Sequence, residues 1–200
     1  AVDKSVPEYK NPFHPSTYAH FVARKDYRKT YDVYKDDTLL NRQPKKSRKI
    51  FVCLDEQRGQ YLVDGLVAMD FPLSSGVKAY PTKTGDYAVI SKKEDHTSNL
   101  YGKMYDAEGK CINYNAESTD PIPEGGRFDG SPMPYWQRLT NAGLGLHVGK
   151  VRRHPVSHGC VRLPRNVAEI LYRQTSIGTP VTIRKTPLPV PEAQKVPAVQ

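Results

Sequence analysis

The chain is short of the features that assign a class at a glance. Three cysteines, Cys53, Cys111 and Cys160, stand in 200 residues, too few for a small domain stapled by disulfides, and an odd number leaves at least one thiol unpaired in a monomer. Cys53 and Cys111 are the pair an oxidising compartment could join, but their sequence separation fixes no geometry, and ordinary thiols fit equally well. No run approaches the roughly 18 apolar residues of a transmembrane helix, so membrane anchoring is not evident. The opening AVDKSVPEYK lacks the apolar centre of a signal peptide, although a mature secreted chain would have lost one. Internal repeats, a regular basic helix, RNA-binding aromatic motifs and zinc-finger spacing are also missing, so no nucleic-acid partner is expected.

What remains is a chain long enough for one modest domain with its own core. The hydrophobic fraction is 38% and the charged fraction 26%, too apolar for thorough disorder. The formal net charge is +9, and residues 1–49 hold twelve Lys/Arg against six Asp/Glu. That excess fits attraction to an anionic polymer or surface; the plainer account is a solvated extension.

Periodicity divides the rest. The opening through Lys49 has no durable period; YDVYKDDTLL reads as a short structured prelude and KKSRK as its polar boundary. From Ile50, residues Ile50, Val52 and Leu54 alternate with Phe51 and Cys53 as a buried strand does. EQRGQ then suggests a turn, and Asp64-Gly65 a hairpin into LVAMDFPLSSG. PTKTGDYAVI adds a strand with Tyr87 and Val89 on one face. Residues 92–130, rich in charge, Gly and Asn, read as long recognition loops beside short strands. In LGLHVG the two-residue period sets His147 opposite Leu144, Leu146 and Val148. NVAEILYRQ is the clearest helix, with Val167, Ile170 and Leu171 as its apolar stripe. A β-prone VTI at 181–183 follows, then a proline-rich extended tail.

The chemistry concentrates in HVGKVRRHPVSHGCVRLP, His147 to Pro164. Cys160 follows Gly159 and precedes a helix, a setting that can expose sulfur near backbone donors. A sulfur nucleophile needs a proton acceptor and an oxyanion site. His147 or His158 could supply the first, and the amides of Gly159 and Cys160 the second. Arg162 could grip a carboxylate through two parallel hydrogen bonds. Each residue taken alone also has a structural reading: a buried thiol, a turn histidine, a satisfied core histidine, a surface ion pair.

This segment resembles the L,D-transpeptidase catalytic family, also called YkuD-like. SHGCVR from Ser157 to Arg162, preceded by His147, carries the resemblance. SSG at 74–76 and PTKTGDY at 81–87 match further landmarks, while DHTSNLYG (95–102) and MPYWQRL (133–139) are similar to a periplasmic-type subgroup. The spacing of thirteen positions from His147 to Cys160 is shorter than the familiar family loop and resembles a short-loop subgroup. The resemblance implies a mainly β fold, a YkuD-like β-sandwich with a short helix after the cysteine motif. It divides the chain into a basic extension or prelude (1–48), a catalytic domain (49–184) and a proline-rich tail (185–200).

By the same resemblance Cys160 is the nucleophile and His147 the general base, oriented by the Val148 carbonyl. His158 supports the cysteine environment, Ser157 supplies a supporting hydrogen bond and Arg162 meets a stem-peptide carboxylate. Tyr135, Trp136, Tyr101 and His96 are candidate lining residues of the groove. The implied reaction attacks the meso-diaminopimelate to D-alanine bond of a peptidoglycan tetrapeptide stem through a thioester. The acyl group then passes to a stem amine, to an envelope lipoprotein lysine, or to water as an L,D-carboxypeptidase. No cofactor is implied, and the implied location is the periplasm or another extracytoplasmic envelope compartment. Two rivals stand beside it: a zinc hydrolase built on His147, His154, His158 and Cys160, which lacks a recognisable ligand framework, and a catalytically weak cell-wall-binding protein docked by the basic segment.

Overall fold

A computed structural model describes residues 8–44 and 47–198; Lys45 and Lys46 of the expected polar boundary lie outside the described residues. A short helix α1 (Tyr18–Val22), a two-residue strand β1 (Tyr34–Lys35) and helix α2 (Asp37–Asn41) precede the meander β2 (Arg48–Cys53), β3 (Arg58–Val63) and β4 (Leu66–Pro72). β5 (Gly85–Ala88) and β6 (Ser91–Lys93) lead into β7 (Thr97–Tyr105), β8 (Cys111–Glu117) and β9 (Arg127–Pro132). Then come β10 (Trp136–Arg138), β11 (Gly145–Val148), β12 (Val161–Leu163), helix α3 (Arg165–Gln174) and β13 (Pro180–Arg184).

The strands form three sheets: six strands in the order β1-β4-β3-β2-β13-β5, four in the order β12-β11-β10-β6, and three in the order β8-β7-β9. The alternation in β2 explains the layering. Ile50 and Val52 enter a core shared with Leu146, Val161 and Leu163 of the four-stranded sheet and Val167, Ala168 and Leu171 of α3. Phe51 and Cys53 point to the opposite face, against Tyr18, Phe21 and Tyr27. A strand apolar on both faces must be covered on both, since each buried side chain of this size is stabilising by about 1.5–3 kcal/mol. The architecture is mainly β, with mixed parallel and antiparallel pairing and a short helix after the cysteine motif.

The outer layer is where the solvated-extension reading gives way. Tyr18 and Tyr27 donate their hydroxyls to Asp70 at 2.8 Å each, and Gln60 Nε2 and Arg58 Nε reach the same carboxylate at 2.9 and 2.5 Å. The Arg58 and Asp70 side chains are both wholly buried. Arg58 also donates to the carbonyls of Thr30 and Asp32 and lies over the rings of Phe21 and Tyr27. A buried carboxylate needs its lone pairs satisfied, and the segment before β2 supplies two of the four donors. Burial, with the charge on Asp70, pushes both phenols well above their ordinary range.

The proline-rich tail is similarly engaged. Gln194 bonds Val67 N and O through its side-chain amide at 2.8 and 2.9 Å, and Leu188 and Val190 pack on the outer cluster. Covering open backbone groups in this way is one means by which sheets blunt an edge.

Two other expectations shift. The turn after β2 falls at residues 54–57, not across EQRGQ, because Arg58 and Gln60 are strand residues aimed at Asp70. Residues 97–132 form an antiparallel sheet with a nine-residue central strand instead of loops. Its pattern is blurred by bulges between Gly102 and Tyr105 and by Leu100, Ile112 and Tyr114 left exposed. The Asp64-Gly65 hairpin appears as expected, both residues at positive φ (52° and 81°).

Candidate active site

The cysteine loop is held by three separate segments. β11 and β12 run parallel, with His147 in register with Arg162, so the chain must cross over between them and return. Residues 149–160 make that crossover. Ser74 pairs with Arg162 and Gly76 with Ser157; Val156 N and Ser157 N both donate to Ser75 O; Arg152 N donates to Ser74 Oγ at 2.8 Å. A Cβ on Gly76 would sit 2.1 Å from Tyr80 O and 2.8 Å from Gly159 Cα, so only glycine admits this approach. Thr82 closes the clasp, accepting from Gly76 N at 2.8 Å and donating to Gly159 O at 2.6 Å. On the outer side Arg153 donates to the carbonyls of Thr30, Arg28 and Glu56, which ties the loop to the segment before β2.

Within the loop Ser157, 2% exposed, donates to Cys160 O at 2.5 Å and accepts from Gly159 N at 3.2 Å. These two bonds brace the turn that carries the thiol. Gly159, at φ 113°, therefore has its amide engaged by Ser157, whereas the Cys160 amide has no acceptor among the described residues. The Cys160 thiol donates to Gly143 O at 3.2 Å. Burial pushes this thiol above its ordinary value, against the opposing pull of the Gly145 backbone and the Arg162 charge.

His147 is 7% exposed, and its Nδ1 lies 2.7 Å from Val148 O. A carbonyl can only accept, so Nδ1 carries the proton and Nε2 keeps its lone pair. Burial is the main force drawing this imidazole down to about 4; the bond to Val148 opposes it, and the Arg162 and His96 charges add to it. The resting pair is thus a neutral thiol and a neutral imidazole of fixed tautomer.

Both groups open into a cleft of about 540 Å³. Trp136 forms its wall, with His96 stacked on its indole at 5.0 Å and the His147 ring tilted against it at 6.0 Å. His158 is exposed, stacks on Tyr101 at 4.5 Å and meets Tyr80 tilted at 4.7 Å, which places it on the rim. Arg162, half-buried, runs its stem past Gly149, where a Cβ would stand 2.7 Å away. Among the described residues its guanidinium meets no carboxylate. Tyr135 stands apart from the cleft: at φ 56° it turns toward Tyr172 of α3, 5.5 Å between rings. Residues that sequence reasoning passed over include Thr82, inside a recognised landmark but without an assigned role. Others are Gly143, whose carbonyl accepts from the thiol, Arg138, and the three-stranded sheet, whose Ser98 and Asn115 line the cleft.

His154, the fourth residue of the zinc rival, is exposed. Among the described residues no three His, Cys, Asp or Glu side chains converge as a metal site. No helix of the described residues is long and apolar enough to cross a membrane.

A family model described as "L,D-transpeptidase catalytic domain" (YkuD) matches residues 47–183. Probable L,D-transpeptidase 3 of Mycobacterium tuberculosis is 31% identical over 121 residues, 57% of this chain and 38% of that protein, so the chain spans well under half of this relative's length. An L,D-transpeptidase from Mycobacterium smegmatis superposes with a TM-score of 0.53 at 22% identity, over 69% of this chain and 58% of the other. The catalytic domain of the E. faecium L,D-transpeptidase gives 0.50 at 28% identity, over 70% of this chain and 98% of that one.

Proposed function

The chain belongs to the YkuD family of L,D-transpeptidase catalytic domains, and from that premise we propose that it is a cysteine acyltransferase acting on peptidoglycan stem peptides. The substrate is a tetrapeptide stem, and the bond broken is the one joining meso-diaminopimelate to the terminal D-alanine. Cys160 Sγ attacks that carbonyl while His147 Nε2 takes the thiol proton. The resulting oxyanion is met by the Cys160 amide. As the C–N bond breaks, the imidazolium returns its proton to the departing amine, leaving a thioester and free D-alanine. A second amine then attacks the thioester, and the thiol is restored.

The observation that carries this reading is the His147 Nδ1 to Val148 O bond, 2.7 Å long, in the same cleft as Cys160. It fixes the tautomer that can act as a base, and it does so with a backbone group, so no third side chain is required. Arg162, without an acidic partner among the described residues, is the group for a substrate carboxylate. Tyr101 and His158 border the entry. The place of action is the extracytoplasmic envelope, a periplasm in the short-loop reading suggested by the thirteen-position spacing.

Intact-mass spectrometry of the wild type and of Cys160→Ala after incubation with purified tetrapeptide muropeptides tests this. An acyl adduct on the wild type with release of D-alanine, absent from the folded variant, is expected. Dimeric products identify transfer to a stem amine, tripeptides identify hydrolysis, and a modified envelope lipoprotein identifies a lysine acceptor. Absence of any adduct from a folded wild type would leave a wall-binding protein in its place.

A further inference from the structure

The cleft is lined by Lys83, Arg138 and Arg162, with not one Asp or Glu among its lining residues. Arg138 is half-buried, and among the described residues its guanidinium has no carboxylate or carbonyl partner. Two guanidiniums thus face one cleft that has no carboxylate in its lining, a setting that suits an anionic ligand.

Sheet register tells where each stands. In an antiparallel pair, opposed residues share a face, and along a strand every second residue does. Arg138 is opposite Gly145 and Gln137 opposite Leu146, which is core, so Arg138, Trp136, Gly145 and His147 share the cleft face. Arg162 is in register with His147 on the far side. Gly145, next to Arg138, is also the residue whose backbone acts on the Cys160 sulfur. Arg138 and Arg162 therefore lie on opposite flanks of His147: one on β10, the other on β12.

We propose that Arg138 is a second carboxylate-binding residue and that, with Arg162, it selects donors carrying a free carboxylate on each side of the scissile carbonyl over donors in which one of these is a carboxamide. This rests on the acyltransferase reading above. A carboxamide keeps the shape of the acid but loses its charge and one acceptor oxygen, so it cannot form the paired, charge-assisted bonds that a guanidinium offers. Hydrogen bonds to charged groups contribute about 1.5–3 kcal/mol, or roughly 10- to 150-fold in selectivity.

The test uses the full chain and synthetic tetrapeptide donors, one with all carboxylates free and others amidated singly. The readout is the concentration dependence of acyl-adduct formation for wild type, Arg138→Gln and Arg138→Lys. The wild type is expected to favour the free-acid donor at least ~10-fold in kcat/KM, mostly through KM. Arg138→Gln should collapse that ratio for one amidation site, with Arg138→Lys between the two. Equal loss on all donors in Arg138→Gln would assign Arg138 a structural role and overturn the proposal. So would a wild type that forms adducts on every donor at similar rates, which would leave the acyltransferase reading standing. A folded wild type that forms no adduct with any donor would overturn both.

Discussion

Replacing Asp70 by Asn should be among the most damaging single changes outside the cleft. The side chain keeps its volume, but the charge opposite Arg58 is gone. Arg58 is wholly buried and loses its counter-charge. The new amide NH₂ must also face either Arg58 Nε, leaving it only the Thr30 and Asp32 carbonyls, or the three donors Tyr18, Tyr27 and Gln60. Breaking a buried pair from one side costs about 3–5 kcal/mol. At roughly 2–4 °C per kcal/mol for a chain of this size, the melting temperature should fall by about 6–20 °C. Thermal and urea unfolding followed by circular dichroism measure it, and tryptic cleavage within residues 24–29 should become fast as Tyr18 and Tyr27 lose their anchor. The double variant Arg58→Met with Asp70→Leu removes both charges and should be less destabilised than the sum of the two single changes, while the Tyr18, Tyr27 and Gln60 donors still lose their acceptor. A loss below about 1 kcal/mol for Asp70→Asn, or a double variant no better than the summed singles, would refute the account of this cluster.

Two further outcomes follow from the cleft. His147, held near 4 by burial, declines a proton that the unfolded chain accepts below about 6.5. Its contribution to stability is complete above pH 6.5 and is lost as pH falls through 4, about 3 kcal/mol in all. Unfolding titrations should show that acid slope shrinking in His147→Gln, and the acid limb of acylation should lie well below pH 6; a limb at the ordinary histidine value would contradict the burial argument. Thr82→Val keeps shape but loses both bonds to the cysteine loop, so acylation should slow by about 10-fold or more at a stability cost of about 1–3 kcal/mol, read by stopped adduct formation and urea unfolding. Unchanged acylation would mean that Ser75 and Ser157 position the loop unaided.

The central strands, the Asp64-Gly65 hairpin, the His147 strand and α3 were legible because each carries a local signal: a two-residue period, a turn dipeptide, an amphipathic stripe. The cysteine, its histidine and the Val148 carbonyl were placed by motif, and the geometry brings all three to one cleft. What the sequence did not disclose is long-range. The tyrosines at 18 and 27 look like surface residues until Asp70, over forty positions away, is seen to need their hydroxyls. Residues 97–132 alternate weakly because neither face is fully buried. Tyr135 sits beside Trp136 in sequence but turns away at a positive φ that no pattern announces. Arg138 reads as one more surface charge until the register sets it across from Gly145.

One topological fact bears on how the molecule comes to exist. β13 lies between β2 and β5, pairing Val181 with Ile50 and with Tyr87, so the middle of the largest sheet waits for one of the last strands in the chain. Until that strand arrives, β2 is an open edge and the apolar layer beneath it is unsealed. Contacts of such separation slow folding and prolong the exposure of sticky surface. The same delay has a further consequence: α3 packs on that layer beside Leu146, Val161 and Leu163 of the sheet that carries His147, so a chain still lacking β13 holds no finished cleft.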